Sequence, residues 1–284
     1  MLTCVARSTA PSRPQPTAQS GFHWRVWGSE FLGTTILVAV GLSAVCFDFG
    51  RGMPLDGLPQ SLRYLLTGLW FAGTGALLAL SPLGRLSGAH VDPIITGGFF
   101  LLGKVHRHDL LGYVVAQFAG ATAGAALLLA AWGPVARSVK VGATTPGPGV
   151  APWEAVLIET GMGAIEVLTV VGMVSSRRTA RFTPLALWIV NATLVWRTAA
   201  LTGTSLNPAR SFGPALLAPA LDVYWIYVVG PVAGMFLGIG IYRLVGLVRR
   251  VDVLTTKLFH DERYPSTAIS ELPVAPSGGV ARAT

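Results

Sequence analysis

Six uncharged runs, at 31–47, 64–84, 110–136, 167–176, 182–196 and 223–242, constrain this chain more than any other feature. Most approach the roughly 20 residues that an α-helix needs to cross the hydrocarbon of a bilayer at about 1.5 Å per residue. The fourth is short only because Glu159 and Glu166 interrupt it, and a start near Trp153 restores its length. The expectation is an all-α membrane protein with six transmembrane helices. Composition points the same way. Charged residues make up 12% of the chain and hydrophobic ones 52%, whereas a soluble domain is about a quarter charged. No ordinary polar surface can be built from so few charges, so lipid is the expected solvent for much of the exterior.

The placement of Lys and Arg sets the orientation. With both termini on one side, 15 of the 21 basic residues fall on that side and 6 on the other. The richer side is cytoplasmic by the positive-inside rule. The net charge of +8 then reads as topology and contact with anionic headgroups. The basic residues are scattered over loops and form no single face, so nucleic acid is not an expected partner. Cys4 and Cys46 offer neither a disulfide framework nor metal-ligand spacing, and no metal or cofactor is expected. Segment 1–22 lacks the apolar core of a secretory signal. It and segment 252–284 are expected to be disordered tails around one membrane domain at 23–251.

That domain divides into two similar halves, about 24–139 and 152–248, separated by the Pro/Gly-rich stretch GATTPGPGVAP. Each half carries a glutamate in its first span, Glu30 in GSEFLGT and Glu159 in LIETGMG. An apolar span follows, then an acidic or amide residue before proline: Asp92-Pro93-Ile94 and Asn207-Pro208-Ala209. A third span rich in small residues closes each half. Three spans per half is an odd number, so the copies must lie in opposite orientations. That is an inverted repeat, with functional residues expected where the copies meet at the midplane. Gly120 and Gly124, and Gly230, Gly234 and Gly238, recur at four-residue intervals, a spacing that lets helix backbones approach closely in lipid.

The proline motifs sit in SGAHVDPIITGGFF and TSLNPARSFGPALLA, neither long enough to span. A proline directly after Asp or Asn suits the first turn of a helix, with the preceding side chain as its cap. Each segment is therefore expected to be a loop dipping inward and then a re-entrant half-helix of about ten residues. The unsatisfied N–H groups at the two starts would face each other and carry partial positive charge. Irregular backbone at that depth is tolerated only around a water-filled cavity. A pore is implied.

These motifs, together with GSEFLGT, LIETG and the run Tyr113 to Gln117 (YVVAQ), resemble the aquaporin, or major intrinsic protein, family in order and spacing from Trp24 to Val248. The family's usual motif is Asn-Pro-Ala twice. The resemblance implies that Asn207 donates its amide to a single file of solute and that Arg210 forms the positive side of an outer constriction. It implies that Glu30 and Glu159 accept hydrogen bonds from the loop backbones, with a proton relay as the rival role. His90 and Gln117 brace the first loop. Family spacing places Ala72, Val195 and Thr204 beside Arg210 in the constriction. Water-selective members have Phe and His there, and glycerol members have Trp and Phe. Without those bulky aromatics the mouth is wider and more aliphatic, and it looks most like the branch that passes boric acid and related neutral metalloid acids. Trp70, Phe71 and Trp196 lie one or two residues away. A register slip would return an aromatic to the mouth; packing against lipid or between helices is their other reading.

Two positions depart from the family pattern. Ile94 replaces the motif's alanine and makes this half bulkier. Asp92 replaces asparagine, and an ionised carboxylate only accepts hydrogen bonds. Either Asp92 stays protonated and mimics the amide, or it ionises between the half-helix ends and offsets the barrier to cations. The leading expectation is a passive channel for water and small uncharged solutes such as glycerol, urea or boric and metalloid acids. Its rivals are a water channel with a tolerant filter, a channel leaky to cations or protons through Asp92, and a closed structural membrane protein. No phosphate loop, His-Glu-x-x-His or nucleophile elbow marks an enzyme. The resemblance further implies a homotetramer with one pore per subunit in the cell membrane, both termini cytoplasmic. Glu166 has no family role; a subunit contact or a central axis are its candidate positions.

Overall fold

The computed structural model describes residues 22–249; the tails expected to be disordered lie outside the described residues except for Phe22. Among the described residues six helices are long and apolar enough to cross a membrane: Trp24–Phe49, Gln60–Leu80, Arg107–Trp132, Pro152–Val174, Thr183–Thr202 and Ile226–Gly246. We refer to them as spans one to six. Two shorter helices, Pro93–Leu101 and Pro208–Leu217, are the half-helices, of 9 and 10 residues. There is no strand among the described residues.

Local chemistry sets the ends of these elements. The second span stops at Leu80 because Ser81 turns extended and Pro82 opens a new short helix, with the Ser81 hydroxyl accepting from the Gly84 N–H at 3.1 Å. Pro152 stands in the first turn of the fourth span, where its missing N–H costs nothing, and Glu154 reaches back to the Ala151 N–H at 2.8 Å. The fifth span ends on Gly203 in the left-handed conformation, φ 74°.

Every span passes at least one end of its uncharged run, and in the first and fifth the extension crosses Glu30 and Arg197. The first begins at Trp24 and carries Glu30 fully buried, because that carboxylate has partners inside the protein. The fifth passes Arg197, whose guanidinium lies 5.4 Å from the Trp196 ring. A charge at a helix end near an interface does not stop the helix.

Packing follows the inverted repeat. Span one lies along span three, span four along span six, and spans two and five join the halves. The close approaches need glycine: a Cβ on Gly120 would sit 2.4 Å from the carbonyl oxygen of Phe31, and one on Gly234 2.4 Å from that of Thr160. One buried apolar cluster, including Ile94, Phe99, Tyr113 and Ile239, surrounds the first half-helix. Another, including Val38, Leu42, Ala121 and Ala209, surrounds the second. Leu77, Leu111, Leu157 and Leu244 point away from both and are exposed. An apolar exterior of this kind suits lipid.

Candidate functional site

Both motif loops are held in the same unusual shape. Ala89 and Val91 before Asp92, and Thr204 and Leu206 before Asn207, all have positive φ, between 46° and 61°. Non-glycine residues hold that conformation only when their surroundings dictate it. Here the buried glutamates do so. Glu30 accepts the N–H of His90 at 3.0 Å and of Val91 at 2.6 Å. Glu159 accepts the N–H of Ser205 at 2.9 Å and of Leu206 at 3.0 Å. The two sets occupy matching positions, two and one residues before each motif. Side chains complete them: Gln117 Nε2 donates to Glu30 at 2.8 Å and to Thr96 Oγ1 at 3.1 Å, and Thr202 Oγ1 donates to Glu159 at 2.8 Å. His90 Nδ1 lies 3.0 Å from Thr96 Oγ1, and its ring stacks on Phe99 with centroids 5.2 Å apart.

Each half-helix begins on a capped turn. Asp92 Oδ1 accepts the Ile94 N–H at 2.8 Å, and Asn207 Oδ1 accepts the Arg210 N–H at 3.0 Å. Pro93 and Pro208 occupy the first helical position, while Ile94 and Ala209 are buried behind the two tips. The halves touch here, because Asn207 Nδ2 donates to the carbonyl of Val91 at 2.7 Å. The two motifs, 115 residues apart, thus meet tip to tip.

A cavity of ≈ 390 Å³ passes this junction and is lined by Asp92 and Asn207. It reaches Gly142, in the connection between spans three and four, and Arg85 and Ala180, in connections on the opposite face. Ala72, Val195, Thr204 and Arg210 all line it. The Arg210 guanidinium is pinned by the Gly142 carbonyl at 3.2 Å from Nη1 and lies 5.6 Å from the Phe71 ring centroid. Thr204 Oγ1 shares a 2.7 Å contact with Thr198 Oγ1.

The neighbouring aromatics divide. Trp70 donates to the Val40 carbonyl at 3.1 Å and Trp196 to Ser61 Oγ at 2.8 Å; both are exposed and neither is among the lining residues. Phe71 does line the cavity, beside Ala72 and against Arg210. Its place depends on span one, which relaxes into a π turn at Leu37–Gly41, where a Cβ on Gly41 would fall 2.7 Å from the Phe71 ring. An aromatic therefore stands at the wall although Ala72 fills the expected position.

Sequence reasoning missed one lining pair. Glu166 does not lie on the outer surface; it borders the cavity and accepts a hydrogen bond from Asn191 Nδ2 at 2.7 Å. Glu166 sits seven residues after Glu159, two helical turns on the same face, and that spacing was the available signal.

Comparison with known proteins gives concordant results. A profile of the family described as Major intrinsic protein matches residues 17–242. The lens fiber major intrinsic protein of Ovis aries is 32% identical over 244 residues, covering 83% of this chain and 89% of its own. Aquaporin AqpM of Methanothermobacter thermautotrophicus is 32% identical over 231 residues, covering 74% of this chain and 92% of its own. Among solved structures, the aquaglyceroporin from Plasmodium falciparum matches with a TM-score of 0.65 at 22% identity, over 78% of this chain and 98% of that one, a likeness of fold alone.

Proposed function

Because this chain belongs to the major intrinsic protein family, whose members are membrane channels and not enzymes, we propose that it is a passive conduit for water and larger uncharged solutes. The solutes in question are glycerol, urea and boric or related metalloid acids. The observation that carries this reading is the cavity wall, where the small side chains of Ala72 and Val195 stand together with Phe71 and Arg210. Arg210 supplies hydrogen-bond donors to solute oxygens and a fixed positive charge against cations. The second N–H of the Asn207 amide, beyond the one held by Val91, adds a donor at the junction. Apart from Phe71, these walls are aliphatic and give water no special advantage, so exclusion by size weakens.

On this reading Ala72, Val195, Thr204 and Arg210 form the filter, and Glu30, Glu159, His90 and Gln117 hold the loops that build it. Both termini are cytoplasmic in the cell membrane, in line with the excess of Lys and Arg on that side. The channel is a homotetramer with a pore in each subunit; the exposed apolar flanks are available for helix contacts between subunits.

Liposomes carrying the purified protein should re-swell in glycerol, urea or boric acid faster than protein-free vesicles. Equal rates would remove the proposal. A second reading, conduction of cations or protons, is favoured by the Asp92 carboxylate in the cavity wall. Voltage-driven current lost in Asp92→Asn would carry that reading, and an electrically silent protein would end it.

A further inference from the structure

Beyond the motif junction the lumen changes character. Span four enters at Pro152, next to the connection that holds Gly142 and Arg210, and Glu159 supports the loop before Asn207. Glu166 lies seven residues further along the same helix, about 10 Å deeper at 1.5 Å per residue. Asn191 lies one turn deeper than Val195 on span five. The two side chains meet across the span four and span five contact at 2.7 Å, and both line the cavity. Leu187 and Val174 line the same cavity.

A carboxylate at 6% exposure among aliphatic side chains within a membrane is costly, and such residues mark pathways. Two further features suggest what it is for. The buried Oδ1 of Asn191 receives no hydrogen bond from the described residues, so Asn191 has an acceptor to spare. Arg210 offers donors only, whereas Asp92 and Glu166, further along, supply carboxylate oxygens. A solute that merely accepts hydrogen bonds is served by Arg210, by Asn207 at the junction and by Arg85 at the far end, but not by the carboxylates. One that also carries several O–H or N–H donors is served by Asp92 and Glu166 as well.

We propose that Glu166 and Asn191 form a second polar station in the lumen, which takes the donors of a neutral polyhydroxy or amide solute and sets its passage relative to water. The station rests on the channel reading above and names the solute chemistry that the reading leaves open. An ionised or a neutral Glu166 retains acceptor oxygens, and Asn191 fixes the orientation of the group.

The test compares glycerol and water permeability of liposomes carrying the full-length protein. Glu166→Leu should lower glycerol permeability about fivefold, the worth of roughly one hydrogen bond, with water changed far less. Glu166→Gln keeps an acceptor for Asn191 Nδ2 and should preserve the wild-type ratio. Asn191→Leu, which keeps the carboxylate but releases it, should lower the ratio in its own right and stands in if Glu166→Leu does not fold. An unchanged glycerol-to-water ratio in both leucine variants would overturn the station. So would an equal fall of both fluxes, since the pair would then only brace the helices. A wild-type cation current abolished by Glu166→Gln would overturn it as well. Wild-type protein with no glycerol flux above bare vesicles would remove the channel reading itself, an outcome visible before any variant is made.

Discussion

The side-chain amide of Asn207 donates to the carbonyl of Val91 at 2.7 Å, so the second motif holds the backbone just before the first. One residue both caps its own half-helix, through Oδ1 and the Arg210 N–H, and locks the two halves of the repeat together. Asp92 performs the cap in its own half, but as a carboxylate it cannot return the donated bond when ionised.

Replacing Asn207 separates these roles. Asn207→Asp keeps the capping oxygen and loses the donor, leaving a carboxylate facing the Val91 carbonyl. The variant should be less stable by about 1–3 kcal/mol, the cost of an unmade buried hydrogen bond. Thermal unfolding in detergent, read against wild type, checks this. An unchanged midpoint would show that the contact does not join the halves.

The two glutamates should behave as a pair. Glu30→Ala strips the His90 and Val91 N–H groups and the Gln117 amide of their acceptor. Glu159→Ala does the same to Ser205, Leu206 and Thr202. Each lost bond to a carboxylate is worth about 1.5–3 kcal/mol, and the loops hold residues at positive φ that need this support. Both variants should give little folded protein by size-exclusion chromatography. Recovery of one at wild-type levels would break the equivalence of the halves.

Much of this was legible before any coordinates. Each uncharged run overlaps its span, the fourth span starts at Pro152 beside the expected Trp153, and the Asp92-Pro93 and Asn207-Pro208 steps start half-helices for the reason their chemistry suggests. Glu30 and Glu159 announced themselves as costly buried charges in need of partners. What the chain did not reveal is three-dimensional register. Nothing in the string Trp70-Phe71-Ala72 says which ring meets Arg210; the π turn around Gly41 decides it by making room for Phe71. Glu166 stayed unplaced for a similar reason. Its partner Asn191 lies 25 residues away on another span, and local spacing cannot pair side chains across helices.

Filling the space at Ala72 tests the width of the mouth. Ala72→Phe sets a ring against the Arg210 wall and should lower glycerol permeability at least tenfold, the effect of about 1.4 kcal/mol added to the barrier. Water flux should persist. Solute uptake and osmotic water flow, measured on the same vesicles, distinguish the two. A variant with unaltered glycerol flux would place the constriction elsewhere.

Arg210 is the fixed positive charge at the end of the lumen opposite Glu166. Arg210→Ala removes it and leaves the Asp92 and Glu166 carboxylates opposed along the wall by Arg85 at the far end. Cation conductance in planar bilayers should rise from background to a measurable level. Silence of the variant would show that another element excludes ions.

The most direct measurement blocks the lumen and follows solute. With Cys4→Ser and Cys46→Ala as background, a Val195→Cys channel is reacted with a bulky water-soluble thiol reagent, and modification is verified by mass. The predicted result is that glycerol and water fluxes both fall to the level of empty liposomes. Full modification with fluxes unchanged would mean that solute does not travel past Val195, and that the passage joining Arg210 to the tips at Asp92 and Asn207 is not the route across the membrane.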